Sequence, residues 1–157
     1  MRELILLRHA EATPHGKDGK DDRERPLTDH GRREAQAAGE WLSSHKVTVD
    51  RVLCSPSART RETAELALGA GVTPTIEDGI YDATVGDLYD LLDRHGDVDR
   101  VLLVGHNPGL EQLVAFLVEG RSEDYRGMPP AGMARLSFDG PLQPGAAKLD
   151  TFWSPPN

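Results

Sequence analysis

A four-residue apolar run at positions 4–7 ends abruptly in the cationic pair Arg8 and His9. A short, continuous apolar run predicts a strand that is buried on both faces, as strands of parallel sheets are. In open α/β sheets, binding sites collect at the carboxyl ends of the strands. One interpretation of the pair is a strand end without chemistry. The other is an anion site, because guanidinium groups bind anions and imidazole can act as nucleophile, base or ligand.

Strand-like and helix-like segments alternate along the rest of the chain. The pattern predicts strands at 49–54, 72–76 and 101–104, and helices from Thr28 to about residue 45, through 59–68, at 85–94 and at 110–118. Two later strand-like segments, 134–138 and 147–153, predict an antiparallel hairpin at the sheet edge. This order predicts an α/β fold, a three-layer α/β/α sandwich with a mostly parallel central sheet and an antiparallel edge. The length predicts a single domain over residues 1–157.

Composition limits the partners and the compartment. The net charge of −8 argues against a nucleic-acid partner, since phosphate backbones require a basic surface. No apolar stretch approaches the roughly 20 residues that cross a bilayer, and the first residues lack the organisation of a signal peptide, so no membrane contact is expected. The single cysteine, Cys54, suits a reducing environment and predicts a cytoplasmic protein. A monomer is the default expectation for the oligomeric state.

A long polar segment, residues 11–28, separates the first predicted strand from the first predicted helix. It contains Pro14, Gly16 and Gly19 and a mixed-charge run at 17–25. Segments of this kind are either solvated connections or lids over active sites. Both interpretations stay open from the sequence.

Three of the predicted strands end in polar signatures. What they share is an arginine or histidine at or soon after the strand end: Arg8 and His9, then Arg59, then His106. If these strands are parallel neighbours, two arginines and two histidines meet at one edge of the sheet. The helices expected after Pro56 and Pro108 would add backbone N–H donors from their first turns. Together these features favour a site for a phosphoryl group.

Four short motifs, in chain order, resemble the signatures of the histidine phosphatase superfamily (branch 1). They are Leu-Arg-His-Ala-Glu at 7–11, Pro-Leu-Thr-Asp-His-Gly at 26–31, Ser-Pro-Ser-Ala-Arg-Thr-Arg-Glu-Thr at 55–63 and Gly-His-Asn-Pro at 105–108. Ala10 stands where the family usually has glycine. The chain length is similar to that of the small phosphohistidine phosphatases of the SixA type and shorter than is typical of sugar-phosphate mutases. The resemblance implies a phosphoglycerate-mutase-like fold.

The resemblance also implies a role for each of four residues. His9 would attack phosphorus and form a phosphohistidine intermediate that water hydrolyses. Arg8, Arg59 and His106 would bind the phosphoryl oxygens and stabilise their charge. Attack requires a neutral imidazole, so the nearby guanidinium groups are expected to lower the pKa of His9, and a backbone carbonyl is expected to hold its other ring nitrogen. No metal and no cofactor are expected.

The general acid is less well defined. Mutase-like relatives use a glutamate that a glycine follows at a fixed spacing, and Asp82 precedes Gly86 at that spacing. Asp82 is therefore the candidate, although an aspartate before a helix is also a common cap. The alternatives are the other carboxylates nearby and in the long segment: Glu77, Asp78, Glu11, Asp18, Asp21 and Asp22. A labile phosphoramidate needs less acid help than an alkyl phosphate, so a missing acid would indicate the substrate class.

Rival interpretations are weaker. Cys54 and Arg59 are one residue too close for the phosphate loop of cysteine phosphatases, so Cys54 is interpreted as a small apolar residue. The histidines lack the spacing of a zinc site, and Trp41 and Trp153 are interpreted as packing residues. A mutase needs a second phosphate site, for which the segment 71–101 leaves little room. A phosphate-binding module without turnover would use the same clamp.

Two substrate classes follow from the resemblance. One is a phosphorylated protein that carries phosphohistidine, which requires an open mouth. The other is a small phosphorylated metabolite, which favours an enclosed pocket. The segments 11–28 and 120–132 are expected to decide between them.

Overall fold

Six strands and four α-helices make up the computed structural model, which describes residues 1–14, 21–122 and 127–156. In chain order the elements are β1 (Glu3–Arg8), α1 (Asp29–Ser44), β2 (Arg51–Cys54), α2 (Ala58–Leu68), β3 (Thr75–Ile76), α3 (Val85–Arg94), β4 (Arg100–Gly105), α4 (Gly109–Glu119), β5 (Met133–Ser137) and β6 (Lys148–Trp153). Two short 3-10 helices, Asp22–Glu24 and Asp78–Ile80, lie in the connections. Within these ranges no helix has both the length and the apolar character of a membrane span.

The strands form one sheet in the order β3-β2-β4-β1-β5-β6. The first four are parallel to one another, whereas β5 and β6 continue the sheet in antiparallel fashion. The predicted mostly parallel sheet with an antiparallel edge is therefore confirmed. Because β4 lies between β1 and β2, the carboxyl ends of the three strands that carry the polar signatures are adjacent.

The apolar run of β1 serves both faces of the sheet. Leu4 and Leu6 belong to a core cluster that includes residues of α3 and α4, whereas Ile5 and Leu7 belong to a second cluster with residues of α1 and α2. All four side chains are fully buried. A strand covered by helices on both faces needs apolar residues at every position, which explains the continuous run and gives the predicted three layers.

Hydroxyl side chains begin the two helices nearest the predicted site. Thr28 Oγ1 accepts a hydrogen bond from the Gly31 N–H at 2.9 Å, and Ser57 Oγ accepts one from the Thr60 N–H at 3.3 Å. Such caps satisfy amides that the first turn of a helix leaves unpaired. The cap at Ser57 marks the start of α2.

The segment 11–28 is paired at both of its ends. Ala12 and Leu27 form an isolated antiparallel bridge, and the Thr28 N–H donates to the Glu11 carbonyl at 3.0 Å. Gly31 approaches that carbonyl so closely that a Cβ would lie 2.0 Å from its oxygen. The described ends of the segment are thus held beside His9. Residues 15–20 lie outside the described residues, and with them Asp18 and the middle of the segment interpreted as either a connection or a lid.

One predicted strand is much shorter than expected. The segment 72–76 forms a strand only at Thr75–Ile76. This strand is at the edge of the sheet and pairs with β2 alone, and Val72 and Ile76 are 40% and 44% exposed. An edge strand with little burial leaves a weak apolar pattern, so its length was overestimated from the sequence.

Candidate active site

Three strand ends meet at one cavity. Arg8 at the end of β1 pairs with Gly105 of β4, and Cys54 at the end of β2 pairs with Val104. The residues that follow these positions therefore lie side by side. They open onto a cavity of about 400 Å³ whose walls include all five predicted site residues: Arg8, His9, Arg59, Asp82 and His106.

Backbone carbonyls hold both the main chain of His9 and one nitrogen of its ring. Its amide donates to the Gly105 carbonyl at 3.1 Å, and its Nδ1 lies 2.8 Å from the Ala10 carbonyl oxygen. A carbonyl only accepts, so Nδ1 carries the proton and Nε2 keeps its lone pair. Burial, followed by the charges of Arg59 and Arg8, lowers the pKa of His9 to about 4, although the hydrogen bond to the Ala10 carbonyl acts in the opposite direction. The ring is therefore neutral near pH 7, with burial rather than the arginines as the main cause.

His106 faces His9 across the cavity, with 5.4 Å between the ring centroids. Its Nε2 lies 2.8 Å from the hydroxyl of Ser55, and its Nδ1 lies 3.5 Å from a terminal nitrogen of Arg59. Burial lowers the pKa of His106 to about 3, and the charges of His9 and Arg59 act in the same direction. This ring, too, is neutral near pH 7.

The two arginines each keep one buried donor unused among the described residues. Arg8 donates from Nη1 to the Met128 carbonyl at 2.7 Å. Arg59, which is 6% exposed, donates from Nη1 to the Asp22 carbonyl at 2.7 Å. The Nε atoms of both arginines are buried without an acceptor. A buried donor without an acceptor is unfavourable, so these two N–H groups are an unmet hydrogen-bonding need of the described residues.

Asp22 is part of the site although it comes from the long polar segment. Its carboxylate accepts from Arg59 Nη2 at 3.0 Å, from Arg25 Nε at 3.0 Å and from the hydroxyl of Tyr81. The hydrogen bond from Tyr81, followed by those from the arginines, holds the pKa of Asp22 well below its usual range. Asp22 is thus a firmly ionised group, and sequence reasoning had weighed it only among the alternatives for the acid.

The carboxylates considered as the general acid differ in whether they lie at the cavity. Asp82 and Glu11 line the cavity, and Asp82 is exposed there with a left-handed backbone at φ 55°. Glu77 lies 3.1 Å from His95 Nε2, and Asp21 caps the 3-10 helix through the Arg23 N–H. Asp78 is exposed in the other 3-10 helix. Of these carboxylates, Asp82 and Glu11 can reach a group bound in the cavity.

Cys54 and the tryptophans lie away from the cavity chemistry. Cys54 is fully buried, and burial raises the pKa of its thiol to about 11, so a thiolate is disfavoured near pH 7. The rings of Trp41 and Trp153 lie 6.0 Å apart and pack against the cluster on the α1 and α2 face. In the described ranges, no three His, Cys, Asp or Glu side chains group together as a metal site would require.

Comparison with known proteins adds similarity in sequence and in fold. Residues 4–93 match the model of the histidine phosphatase superfamily (branch 1). The phosphohistidine phosphatase SixA of Escherichia coli (strain K12) is 32% identical over 127 residues, covering 76% of this chain and 76% of that protein.

Solved structures extend the similarity to the whole fold. A SixA-type protein of Nakamurella multipartitia matches with a TM-score of 0.83 and 31% identity, covering 98% of this chain and 96% of the other. The protein histidine phosphatase SixA complexed with tungstate matches with a TM-score of 0.81 and 26% identity, covering 97% and 96%.

Proposed function

This chain belongs to the histidine phosphatase superfamily (branch 1), in its SixA-type group, and we propose that it hydrolyses phosphohistidine on a protein through a phosphoryl group carried by His9. The family that the four motifs predicted is confirmed, and membership of it implies a phosphatase. One observation supports the assignment of His9 above all others. Its Nδ1 is anchored on the Ala10 carbonyl, which leaves Nε2 as a nucleophile in the cavity.

The proposed reaction has two displacements at phosphorus. In the first, the Nε2 lone pair of His9 forms a bond to phosphorus while the bond from phosphorus to the substrate's imidazole nitrogen breaks. The departing imidazole keeps the electron pair and takes up a proton. In the second, a water oxygen attacks phosphorus, the bond to Nε2 breaks and its electron pair returns to His9. Inorganic phosphate leaves, and the proton lost by water passes to solvent.

Arg8, Arg59 and His106 would stabilise the phosphoryl oxygens during both steps. The positive charge of the two guanidinium groups in the cavity wall supports this role. Donors aimed at developing charge contribute about 2.7–4 kcal/mol each to lowering a barrier. A substitution such as Arg59→Met is therefore expected to lower kcat by about 100- to 1000-fold.

Asp82 is the proposed proton donor for leaving groups that need one. It lines the cavity together with His9 and His106. Its exposure supports a donor that serves the mouth of the site, where the leaving group of a protein substrate would lie. A phosphoramidate leaving group depends on such a donor less than an alkyl alcohol does.

We infer that turnover needs no metal ion. Two guanidinium groups supply the positive charge that a metal provides in other phosphoryl-transfer enzymes. Activity after dialysis against EDTA is expected to equal that of the untreated protein. A loss that a divalent cation restores would contradict the inference.

The decisive experiment follows phosphate through His9. The protein is mixed with a radiolabelled phosphohistidine peptide, quenched in alkali within one turnover and digested, and label is expected on the peptide that contains His9. The matched control is His95→Ala, a histidine outside the cavity that contacts Glu77, which should keep the label and the rate. Phosphate binding without turnover in the native protein would instead indicate a binding module.

A second candidate, a phosphatase of small phosphorylated metabolites, is favoured by one observation. A further cavity of about 350 Å³ shares Asp82, His106 and Asn107 with the first and is mainly apolar elsewhere, including Ile80 and Leu88. A compact leaving group could bind there. Values of kcat/KM for phosphohistidine peptides and for metabolite phosphates distinguish the two candidates. A kcat/KM that is higher by orders of magnitude for metabolite esters would overturn the phosphohistidine assignment.

A further inference from the structure

We propose that Ser55 is a positioning residue whose hydroxyl pairs with Nε2 of His106 whether or not that nitrogen carries the proton, and thereby allows His106 to move its proton to Nδ1 and donate to a phosphoryl group. The inference rests on the proposed function for its consequence in turnover. The contact between Ser55 and His106 can be tested without turnover.

Ser55 is held firmly where β2 ends. It is fully buried, and its amide donates to the Val104 carbonyl at 3.2 Å. Its carbonyl accepts from Thr60 Oγ1 at 2.8 Å. The backbone of Ser55 is thus fixed on both sides. Its hydroxyl oxygen lies 2.8 Å from Nε2 of the His106 ring.

The opposite nitrogen of the same ring faces Arg59. Arg59 Nη2 lies 3.5 Å from Nδ1, and a guanidinium can only donate. In the structure Nδ1 therefore accepts, so a neutral ring carries its proton on Nε2 and donates it to Ser55 Oγ. In this tautomer His106 cannot donate to a phosphoryl oxygen from Nδ1.

Donation to phosphate requires the other tautomer or the charged ring. If the proton moves to Nδ1, Nε2 becomes an acceptor and Ser55 must turn its hydroxyl hydrogen toward it. If the ring takes up a second proton, Ser55 accepts again. A serine hydroxyl can do both, because it has one donor and two acceptor positions and rotates freely. Alanine at position 55 would leave a buried ring nitrogen without a partner in either state.

The surroundings of His106 favour a neutral ring, and therefore make the tautomer the relevant variable. The ring is flanked by His9, by the edge of Tyr81 at 5.5 Å between centroids and by Arg59. The charges of Arg25 and Asp22 also act on it, in opposite directions. Burial dominates these influences.

Ser57 offers a matched control in the same turn. It is also fully buried, but its Oγ pairs with Thr60 Oγ1 at 2.6 Å and caps α2. Ser57→Ala removes a buried hydroxyl and a helix cap, whereas Ser55→Ala removes the partner of His106. A loss that is merely structural should be similar in the two variants.

The test measures by ¹⁵N NMR which ring nitrogen of His106 carries the proton, with and without orthovanadate as the phosphoryl probe. In the native protein the proton is expected on Nε2 before vanadate binds and on Nδ1, or on both nitrogens, afterwards. Ser55→Ala is expected to show a mixture of tautomers without vanadate and weaker binding of vanadate. Ser57→Ala is expected to follow the native pattern with a lower melting temperature.

Turnover of an aryl phosphate gives the second readout. Ser55→Ala is expected to lower kcat by ~10–100-fold, as removal of groups that orient functional histidines does, with a smaller change in KM. Ser55→Thr, which keeps the hydroxyl, should restore most of kcat.

Three results would overturn the proposal. They are native His106 with its proton on Nδ1 in both states, Ser55→Ala with the native response to vanadate, and equal losses in Ser55→Ala and Ser57→Ala. Because the first is measured on the unaltered protein, misfolding of a variant does not remove the test. Turnover that survives His9→Ala would overturn the proposed function while leaving the NMR result on Ser55 valid.

Discussion

At the scale of single residues, the candidate site places the proposed nucleophile, His9, in a buried position near firmly ionised groups. His9 is neutral because burial opposes its charge, whereas Asp22 is ionised because Tyr81 and two arginines donate to it. Groups with pKa values moved apart in this way divide the roles of nucleophile and fixed charge between them. The family motifs point to His9, but Asp22 emerges only from contacts between distant parts of the chain.

The lowered pKa of His9 predicts a specific pH dependence of stability. Between pH ~6.5 and ~4, the unfolded chain binds a proton at position 9 that the native ring, with a pKa of about 4, does not. The free energy of unfolding should therefore fall as the pH decreases through this window, and this loss should be absent above it. Melting temperatures of the native protein and of His9→Gln, measured from pH 7 to pH 4.5, should show a shallower decline in the variant. Parallel curves would contradict the assignment.

The two aspartates at the site are expected to respond differently to the leaving group. Asp82→Asn should lower kcat for alkyl phosphates and leave hydrolysis of an aryl phosphate almost unchanged, because a good leaving group needs little protonation. Asparagine tolerates the left-handed backbone at this position. Asp22→Asn should change both rates by the same factor, since it acts through the position of Arg59. Equal losses for both substrates in Asp82→Asn would exclude it as the acid.

At the scale of elements, close packing of α1 fixes the chain beside His9. Gly31→Ala would place a Cβ 2.0 Å from the Glu11 oxygen, and Gly39→Ala, further along the same helix, would place one 2.7 Å from the Ala67 oxygen. Both variants should lose about 1–3 kcal/mol in urea unfolding, the usual cost of overpacking. Only Gly31→Ala should also lower kcat/KM, because Gly31 contacts the segment that follows the nucleophile. Equal kcat/KM values in the two variants would show that the packing of α1 does not affect the site.

The central strands could be predicted because a strand that is buried on both faces needs apolar residues at every position, and the sequence shows such continuous apolar runs. β1 and β4 show this clearly. The short edge strand β3 is exposed on both residues and leaves no such run. The 3-10 helix Asp22–Glu24 could not be predicted, since its sequence has no apolar period and its place is set by contacts to Arg59 and Tyr81. The convergence of the two arginines and two histidines on one cavity could be predicted from strand ends and motifs, whereas the contacts that tune them could not.

At the scale of the whole molecule, a net negative charge coexists with several arginines at the candidate site. The net charge of −8 should repel acidic protein partners and attract basic ones, chiefly through the association rate. A phosphohistidine peptide flanked by lysines is expected to have a higher kcat/KM at low salt than one flanked by glutamates. The difference should shrink as ionic strength rises from about 0.01 M to about 0.15 M, where the Debye length is near 8 Å. A ratio that does not depend on salt would show that the outer surface takes no part in encounter.

β1 has a paired neighbour on each side, β4 on one and β5 on the other. Backbone in that position exchanges its amide hydrogens only when the molecule opens extensively. His9 directly follows this strand and is therefore anchored to the most rigid part of the sheet. Asp22, in contrast, lies in a surface connection. Substitutions in that connection are therefore expected to disturb the site through Arg59 while leaving the strand intact.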